Sequence, residues 1–262
     1  MSWPRRVVCL TEESAETLHL LGRWDLVVGV SGYTVRPPEA RKKPRVCAFT
    51  TADVPKILAL EPDLAVGFSD LQADIARDLI KAGVNVVIFN QRSVDEVLAV
   101  VRATGALVGA AAEAEALAAR LAAGVEAARR ESASLPKRPK VYFEEWDGPL
   151  ISGIRWVEEL VEAAGGEPVF PELRGKGLAK DRIVDPAEVV RRAPDLVVAS
   201  WCGKKANLAA IKKRPGWDGI PAVKNGLVRE IKSTYILQPG PAALTEGLAQ
   251  LKALVLEASA AS

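Results

Sequence analysis

The chain has 262 residues, 49% of them hydrophobic and 26% charged, and its 35 basic and 33 acidic side chains leave a net charge of +2. That balance excludes the basic footprint of a nucleic-acid-binding protein, and no apolar run reaches the roughly 18 residues of a membrane span. Three widely separated cysteines and a single histidine exclude a disulfide framework and a metal site built from several imidazoles.

The first residues predict no secretory signal. The apolar run after Arg5 and Arg6 extends only from Val7 to Leu10, which is shorter than the roughly 7–15 residues of a signal core. We therefore expect a cytoplasmic location for the chain as it stands. A periplasmic or extracellular location is expected if a leader peptide has been removed.

Short β-branched runs alternate with helical patterns in the first hundred residues. Strands are predicted at 6–10, 26–30, 46–49, 64–68 and 84–89, with helices at about 11–22, 53–60, 71–82 and from 93 onward. Thr11 is the expected N-cap of the first helix, and Gly22 its stop. Near-continuous apolar strands joined by helices predict a parallel sheet covered on both faces.

The pattern changes at residues 109–135, where Ala, Glu, Arg and Leu dominate without a proline before residue 136. A helix of this length spans roughly 39 Å at 1.5 Å per residue, more than one small lobe needs. Strands are then predicted at 140–146, 195–201 and 227–231, with helices near 156–164, 208 and 242–258. We predict an α/β fold with two Rossmann-like lobes, residues 1–108 and 136–262, whose parallel sheets are joined by one long α-helix at 109–135.

The two halves share a local pattern. The segment LALEPDLAVGF at 58–68 matches VVRRAPDLVVASW at 189–201 in the order helix, Pro-Asp, strand, aromatic. Weak internal repetition explains the match, and so does the general use of Pro-Asp at turns between helices and strands. The sequence leaves both explanations open.

Aromatic side chains end four of the predicted strands. They are Phe49, Phe68, Trp146 and Trp201. Because ligands of open α/β sheets bind beyond the carboxyl ends of strands, these rings are candidates for the walls of a binding cleft. Ordinary packing is the more frequent explanation for any single ring, but four rings at equivalent strand ends favour a site.

Catalytic motifs are missing from the sequence. It has no Gly-rich phosphate loop and no Gly-x-Ser-x-Gly elbow. Glu144 and Glu145 are adjacent on a strand and point to opposite faces, so we expect only Glu145 to face a ligand, as a hydrogen-bond acceptor.

His19 sits in a helical pattern and is expected to pack or face solvent. Four lysines are expected to form a solvated helix face: Lys204, Lys205, Lys212 and Lys213.

The chain resembles the helical-backbone substrate-binding proteins of ABC importers, and within them the cobalamin-binding branch. The resemblance rests on RVVCLTEESAETLHLLG, SGYTVRPPEA, ILALEPDLAVGF, SGIRWVEELVEAAGGEPVF, APDLVVASW, GWDGIPAVKNGLVREI and PGPAALTEGL. It implies two Rossmann-like lobes bridged by a helix, with a ligand held between them and little closure. It also implies a non-catalytic protein that needs no cofactor or metal, whose ligand is cobalamin or another corrinoid.

The resemblance assigns the contacts of that ligand. The aromatic contacts would be Tyr33, Phe49, Phe68, Trp146 and Trp201. Rings suit the faces of a flat macrocycle, while Glu145, Ser152 and Gly153 would meet its peripheral amides. A monomer is expected, without nucleic acid and without membrane insertion.

The docking positions depart from the family. Members that dock on an importer carry one glutamate on top of each lobe, and the matching positions here are Pro55 and Ala187. Asp53 and Glu188 lie nearby and are the expected substitutes. The resemblance therefore implies importer membrane subunits as partners, and these two positions weaken that implication.

Two alternatives stay open. A haem or iron-siderophore binder would have the same fold, with Arg155 and Arg36 as the candidate contacts for an anionic ligand. An enzyme of corrinoid metabolism would use Glu145 as an acid or base, because burial in an apolar cleft raises a carboxyl pKa.

Overall fold

A computed structural model describes residues 4–261 of the chain. Strands and helices alternate as the apolar periodicity predicts. The strands are β1 (Val7–Cys9), β2 (Val27–Ser31), β3 (Arg45–Cys47), β4 (Leu64–Phe68), β5 (Asn85–Phe89), β6 (Lys140–Asp147), β7 (Leu150–Ser152), β8 (Glu167–Pro168), β9 (Leu196–Ala199) and β10 (Val228–Glu230). The helices are α1 (Glu12–Leu20), α2 (Val54–Leu58), α3 (Ala73–Lys81), α4 (Val94–Leu107), α5 (Ala111–Ser132), α6 (Arg155–Ala163), α7 (Pro186–Arg192), α8 (Leu208–Lys212), α9 (Pro221–Lys224), α10 (Ser233–Ile236) and α11 (Leu248–Ala260).

The chain divides into two compact units. Unit 1 contains the residues up to Gln91 together with Asp95–Leu121, and unit 2 contains Arg92–Val94 and the residues from Ala122 onward. The dividing point lies inside α5, so this one helix contributes to both units. The exact limits of the lobes and linker, 1–108, 109–135 and 136–262, stay a prediction.

Unit 1 is built on one fully parallel sheet with the strand order β3-β2-β1-β4-β5. This is the order of a doubly wound, Rossmann-like half, and the α/β prediction is confirmed. Its core packs the inward side chains of the strands against α2 and α3, with Ile57 and Leu79 fully buried. The order reverses between β1 and β4, which start side by side at Val7 and Leu64.

Unit 2 has a second sheet with the order β10-β9-β6-β7, and β8 pairs with the first residues of β6. Strands β6, β8, β9 and β10 are parallel, but β7 is antiparallel to the last residues of β6. This differs from the prediction of parallel sheets alone. The tight turn at Gly148 and Pro149 folds the chain straight back onto β6, and a tight turn joins only antiparallel strands.

The Pro-Asp pairs have the same role in both units. Asp63 accepts hydrogen bonds from the backbone N–H groups of Arg5 and Arg6 at 2.7 and 3.0 Å, just before β1. Asp195 accepts one from Lys140, the first residue of β6, at 2.8 Å. Each aspartate thus fixes the start of the neighbouring parallel strand. This shared role favours internal repetition over a general turn preference.

The core of unit 2 is aromatic. Tyr142 packs edge-on against Phe170 and Trp217, with ring centroids 5.9 and 6.0 Å apart. Such edge-to-face pairs add stabilisation beyond their buried area. Between residues 4 and 261, none of the helices combines the length and apolarity of a membrane span.

Candidate functional site

The topology defines where each unit can bind a ligand. In an open α/β sheet, ligands bind beyond the carboxyl ends of the strands at the point where the strand order reverses. In unit 1 this point lies beyond β1 and β4, and in unit 2 it lies beyond β6 and β9. The residues at or just after the ends of these strands are therefore the candidates. Phe68 is the last residue of β4, Trp146 is the last but one of β6, and Trp201 lies two residues after β9.

Two predicted aromatic residues of unit 1 come together. The rings of Phe49 and Phe68 are 6.3 Å apart at their centroids and inclined by 32°. The buried side chain of Gln72 holds them in place, since its amide nitrogen donates to the Phe49 carbonyl at 2.9 Å and its amide oxygen accepts from the Phe68 N–H at 3.1 Å. One side chain thus ties the end of β3 to the end of β4.

Tyr33 lies on the same carboxyl edge, two residues after β2. Its side chain is exposed, with 51% of the residue surface accessible. Its backbone N–H donates to the Ser31 hydroxyl at 3.3 Å, which fixes the turn. The phenol ring is therefore available to a ligand, although no other ring of the predicted set is paired with it.

Acidic residues follow β1 in unit 1. Glu12 and Glu13 begin α1, where the helix dipole favours negative charge, yet both are buried and one oxygen of each has no hydrogen-bond partner. Burial raises the pKa of Glu12 to about 8, with Glu13 adding to the shift and Arg36 opposing it. Burial likewise raises the pKa of Glu13 to about 7, against the hydrogen bond that the Thr11 hydroxyl donates to it.

The end of β9 is fixed by a buried ion pair. The Trp201 indole N–H donates to the Glu144 carboxylate at 3.0 Å, and the Arg214 guanidinium contacts both oxygens of that carboxylate at 2.6 and 2.9 Å. Glu144 has no exposed surface. A bidentate guanidinium–carboxylate pair of this kind sets the orientation of the ring that it holds.

Glu145 lies at an irregularity in the pairing of β6 with β7, between Glu144 and Trp146, and its partners differ from those of Glu144. One carboxylate oxygen accepts from the Ile154 N–H at 2.6 Å, at the start of α6, and the other lies 2.9 Å from the buried Arg182 guanidinium. Arg182 also donates to the Ser152 carbonyl. Burial raises the pKa of Glu145, and Arg182 opposes that shift. Glu145 and Ser152 are thus brought together around Arg182, and their contact with a ligand stays a prediction.

The glycine and the second tryptophan of this turn have packing roles. A Cβ on Gly153 would lie 3.3 Å from the Phe143 side chain, so the backbone there passes close to β6. Trp156 is buried in unit 2, and its indole N–H donates to the Ile236 carbonyl at 3.0 Å. Trp156 therefore anchors α6 to the segment before α11. Gly153 stays a predicted ligand contact.

Trp146 and Trp201 are joined by a lysine. The Lys204 ammonium lies 3.9 Å from the centroid of the Trp146 ring and 4.8 Å from that of the Trp201 ring. It also forms an ion pair with Asp147 at 2.6 Å. Lys204 and Lys205 are exposed as predicted, but they lie between β9 and α8, so the prediction of a helix face was wrong for both. Trp146 and Trp201 do lie on one edge of one sheet, but Trp201 is buried in the core of unit 2 while Trp146 is partly exposed.

His19 lies away from this edge. It is exposed near the end of α1, and its ring packs edge-on against Trp24 with centroids 6.0 Å apart. Among residues 4–261, no group of three or more His, Cys, Asp and Glu side chains is arranged to hold a metal ion.

The predicted docking positions begin two short helices. Pro55 in α2 and Ala187 in α7 are both exposed. Asp53 is the N-cap of α2 and accepts from the Lys56 N–H at 3.0 Å. Glu188 is held by Arg191 and Arg192. Asp53 is therefore the more accessible of the two expected substitutes.

Sequence reasoning missed the partners of the site residues. Arg182 contacts Glu145, Arg214 contacts Glu144, and Lys204 contacts the two tryptophans. No local sequence pattern predicts these three partners. The pair Glu144–Glu145 at the end of an apolar strand was the available signal. Two buried carboxylates require two separate cations, because unpaired buried charges are strongly unfavourable.

Comparisons with known proteins agree with this architecture. A family described as "Periplasmic binding protein" matches residues 7–235. The "Uncharacterized ABC transporter substrate-binding lipoprotein YvrC" of Bacillus subtilis is 27% identical over 95% of this chain and 79% of its own length. A "Cobalamin-binding protein" of Halobacterium salinarum is 26% identical over 92% of this chain and 66% of its own length, so the chain spans about two thirds of that relative.

A solved structure extends the comparison to the fold. The apo form of a "Periplasmic heme-binding protein RhuT" from Roseiflexus superposes with a TM-score of 0.84 and 23% identity, covering 97% of this chain and 99% of the other. At that identity the likeness establishes the fold alone.

The fold is the two-lobe α/β fold of substrate-binding proteins. This chain belongs to the periplasmic binding protein family. The resemblance to importer substrate-binding proteins is confirmed, and members of the family bind small molecules for transport.

Proposed function

We propose that this protein binds a corrinoid and that the faces of Trp146 and Trp201 form the principal wall of its site. The observation that carries this proposal is that the two indoles lie on one sheet edge, at the reversal of strand order, within 3.9 and 4.8 Å of a common ammonium group. Flat aromatic faces suit a large planar ligand. The relative named "Cobalamin-binding protein" adds support for the ligand class.

The charges of unit 1 favour a ligand without carboxylates. Glu12 and Glu13 follow β1, next to the strand that ends at Phe68. The charged fraction of these two buried carboxyls would repel an anionic ligand on this edge, while the uncharged amide fringe of a corrinoid would meet no such repulsion.

A haem or siderophore binder is the second candidate, and the heme-binding structural neighbour is the observation in its favour. Its expected arginine contacts are already paired within the protein. Arg36 lies 3.2 Å from Glu16, and Arg155 lies 2.8 Å from Glu159. An anionic ligand would have to compete with these carboxylates, so the corrinoid is the better match.

An enzymatic role has little support. Glu145 is the residue that would act as an acid or base, and its two oxygens contact the Ile154 N–H and the Arg182 guanidinium. A carboxylate engaged in this way orders the turn at the start of α6. We therefore propose a binding function without catalysis.

The partner and the location follow from the family. We propose that the protein acts outside the cytoplasmic membrane and delivers its ligand to importer membrane subunits. Pro55 and Ala187 supply no charge for docking, so Asp53 is the candidate contact on unit 1. This partner assignment rests on the family and on the exposure of α2 and α7.

The corrinoid assignment is tested by calorimetric titration with cyanocobalamin, cobinamide, haem and a ferric siderophore. We expect binding of the corrinoids below about ten micromolar and none of the other two. Trp146→Leu should weaken corrinoid binding at least tenfold, because it removes one aromatic wall. Trp24→Leu is the matched control, since Trp24 also carries a lysine over its ring, Lys43 at 5.3 Å, but lies elsewhere.

Selective binding of haem or a siderophore would favour the second candidate function, haem or siderophore binding. Binding of haem or the siderophore without binding of either corrinoid would overturn the proposal. Native mass spectrometry of protein purified from its own host gives an independent answer, because a co-purified ligand identifies itself by mass. Equal losses in Trp146→Leu and Trp24→Leu would remove Trp146 from the site.

A further inference from the structure

The Lys204 ammonium occupies the space that a ligand on the indole wall needs. It lies over Trp146 and Trp201 and pairs with Asp147 at 2.6 Å. A cation above an indole face is attracted by the negative charge of that face. The carboxylate adds a second attraction, so the lysine is held over both rings.

The fold explains why the lysine reaches both rings. β6 and β9 are parallel neighbours, and Trp146 and Trp201 each follow the paired residues by two positions, since Glu144 lies opposite Ala199. The turn after β9 brings the Lys204 N–H within 3.4 Å of the Trp201 carbonyl. Lys204 therefore begins in the turn that follows Trp201, and its ammonium lies near both indole rings.

The ring edges are already engaged. Trp201 is buried in the core of unit 2, with 4% of its surface accessible, so the partly exposed face of Trp146 is the surface that remains for binding. The Trp201 N–H donates to Glu144, and the Trp146 N–H donates to the Gly148 carbonyl at 3.1 Å. Rings held by their edges keep their orientation whatever covers their faces. By contrast, the Lys204 side chain is 41% exposed and extends toward solvent on a flexible stem. Of these groups, the lysine is the one that can move.

We propose that Lys204 is an intramolecular competitor of the ligand. In the free protein its ammonium covers the indole faces, and a planar ligand binds only after the ammonium has left them. This inference rests on the proposed function, because it takes the Trp146–Trp201 wall as the ligand site. Lys204 thereby lowers the affinity for the ligand and keeps the partly exposed Trp146 ring covered in its absence.

The competition has a salt signature. Ionic strength weakens an exposed ion pair such as Lys204–Asp147, which releases the ammonium from the rings. Cyanocobalamin carries no net charge, so salt has little direct effect on its own contacts. Its affinity for the native protein should therefore rise with added salt, and this rise should vanish when Lys204 has no charge.

The test compares dissociation constants for cyanocobalamin in four proteins by calorimetry. Lys204→Met keeps most of the stem and removes the charge, and Asp147→Asn removes the anchor. We expect both to bind about two- to fivefold more tightly than the native protein, the range that follows from one exposed cation–π contact. Lys205→Met is the control, because it makes the same charge change at an exposed neighbouring residue, and it should bind as the native protein does.

Acylation of lysines measures the contact without any ligand. Lys204 should react more slowly than Lys205 with an amine-acylating reagent, and Asp147→Asn should remove that difference. Unchanged or weaker binding by Lys204→Met, with binding by the native protein intact, would overturn the competition alone. Absence of corrinoid binding by all four proteins would overturn the proposed function and the competition with it.

Discussion

The indole N–H of Trp201 donates a 3.0 Å hydrogen bond to Glu144, a carboxylate without exposed surface. This bond, with the Arg214 guanidinium on the same carboxylate, fixes a ring of the proposed ligand wall from within the sheet. The orientation of the Trp201 ring therefore depends on a buried charge pair.

Removing one partner of that pair should destabilise unit 2. Glu144→Ala leaves the Arg214 guanidinium, 16% exposed, without its counter-charge, and we expect a loss of about 3–5 kcal/mol in the free energy of unfolding. Urea denaturation measures it. Glu113→Ala is the control, because Glu113 forms an exposed pair with Arg23 that is worth less than about 1 kcal/mol. Similar losses in both variants would show that the buried pair has no special role.

Gln72 should matter for both stability and binding. Gln72→Leu removes the bonds to the Phe49 carbonyl and the Phe68 N–H in a fully buried place, and we expect a loss of about 1–3 kcal/mol for the groups left unpaired. Corrinoid affinity should fall with it, because the Phe49–Phe68 pair loses its tie. Gln250→Leu removes one exposed side-chain hydrogen bond and should change neither the stability nor the corrinoid affinity. A stable Gln72→Leu with native affinity would contradict the assigned role.

The acids after β1 should make stability depend on pH. The pKa of Glu12 is raised from 4.5 to about 8 and that of Glu13 from 4.5 to about 7. At a pH between 4.5 and these raised values, the folded state therefore binds more protons than the unfolded state. The stability that these two groups contribute is therefore fully present below about pH 4.5 and is lost as the pH rises toward 8.

Glu12→Gln tests this dependence by urea unfolding at pH 5 and pH 8. It should reduce the difference between the two free energies by on the order of 2 kcal/mol, since each pKa unit corresponds to about 1.4 kcal/mol. Glu126→Gln, at an exposed residue paired with Arg129, should leave the difference as it is. A native protein that gains stability from pH 5 to pH 8 would refute the assignment.

His19 is expected to take no part in corrinoid coordination. It is exposed and packs against Trp24. His19→Ala should leave the visible spectrum and the affinity of the bound corrinoid unchanged. A band shift on binding to the native protein that the variant lacks would show axial ligation by this residue.

Local patterns determined the main elements. Apolar periodicity placed the strand at residues 64–68 as observed, and the alanine-rich composition predicted the helix that the structure bounds at Ala111–Ser132. The carboxyl-edge position of Trp146 and Trp201 also followed from the sequence, because parallel strands end on one edge. These features depend on residues that are close together in the chain, so they can be predicted from the sequence.

Tertiary structure alone decided how the site is held and covered. Glu144 and Arg214 are 70 residues apart, and Lys204 reaches Asp147 across 57 residues. The reversal of β7 also depends on the tight turn that returns the chain to β6. These charged side chains and aromatic rings come into contact only when segments distant in the chain pack together. The periodicity of the sequence does not show which of them will be neighbours. The sequence therefore predicted the two tryptophans at one sheet edge but could not predict the lysine that lies over them.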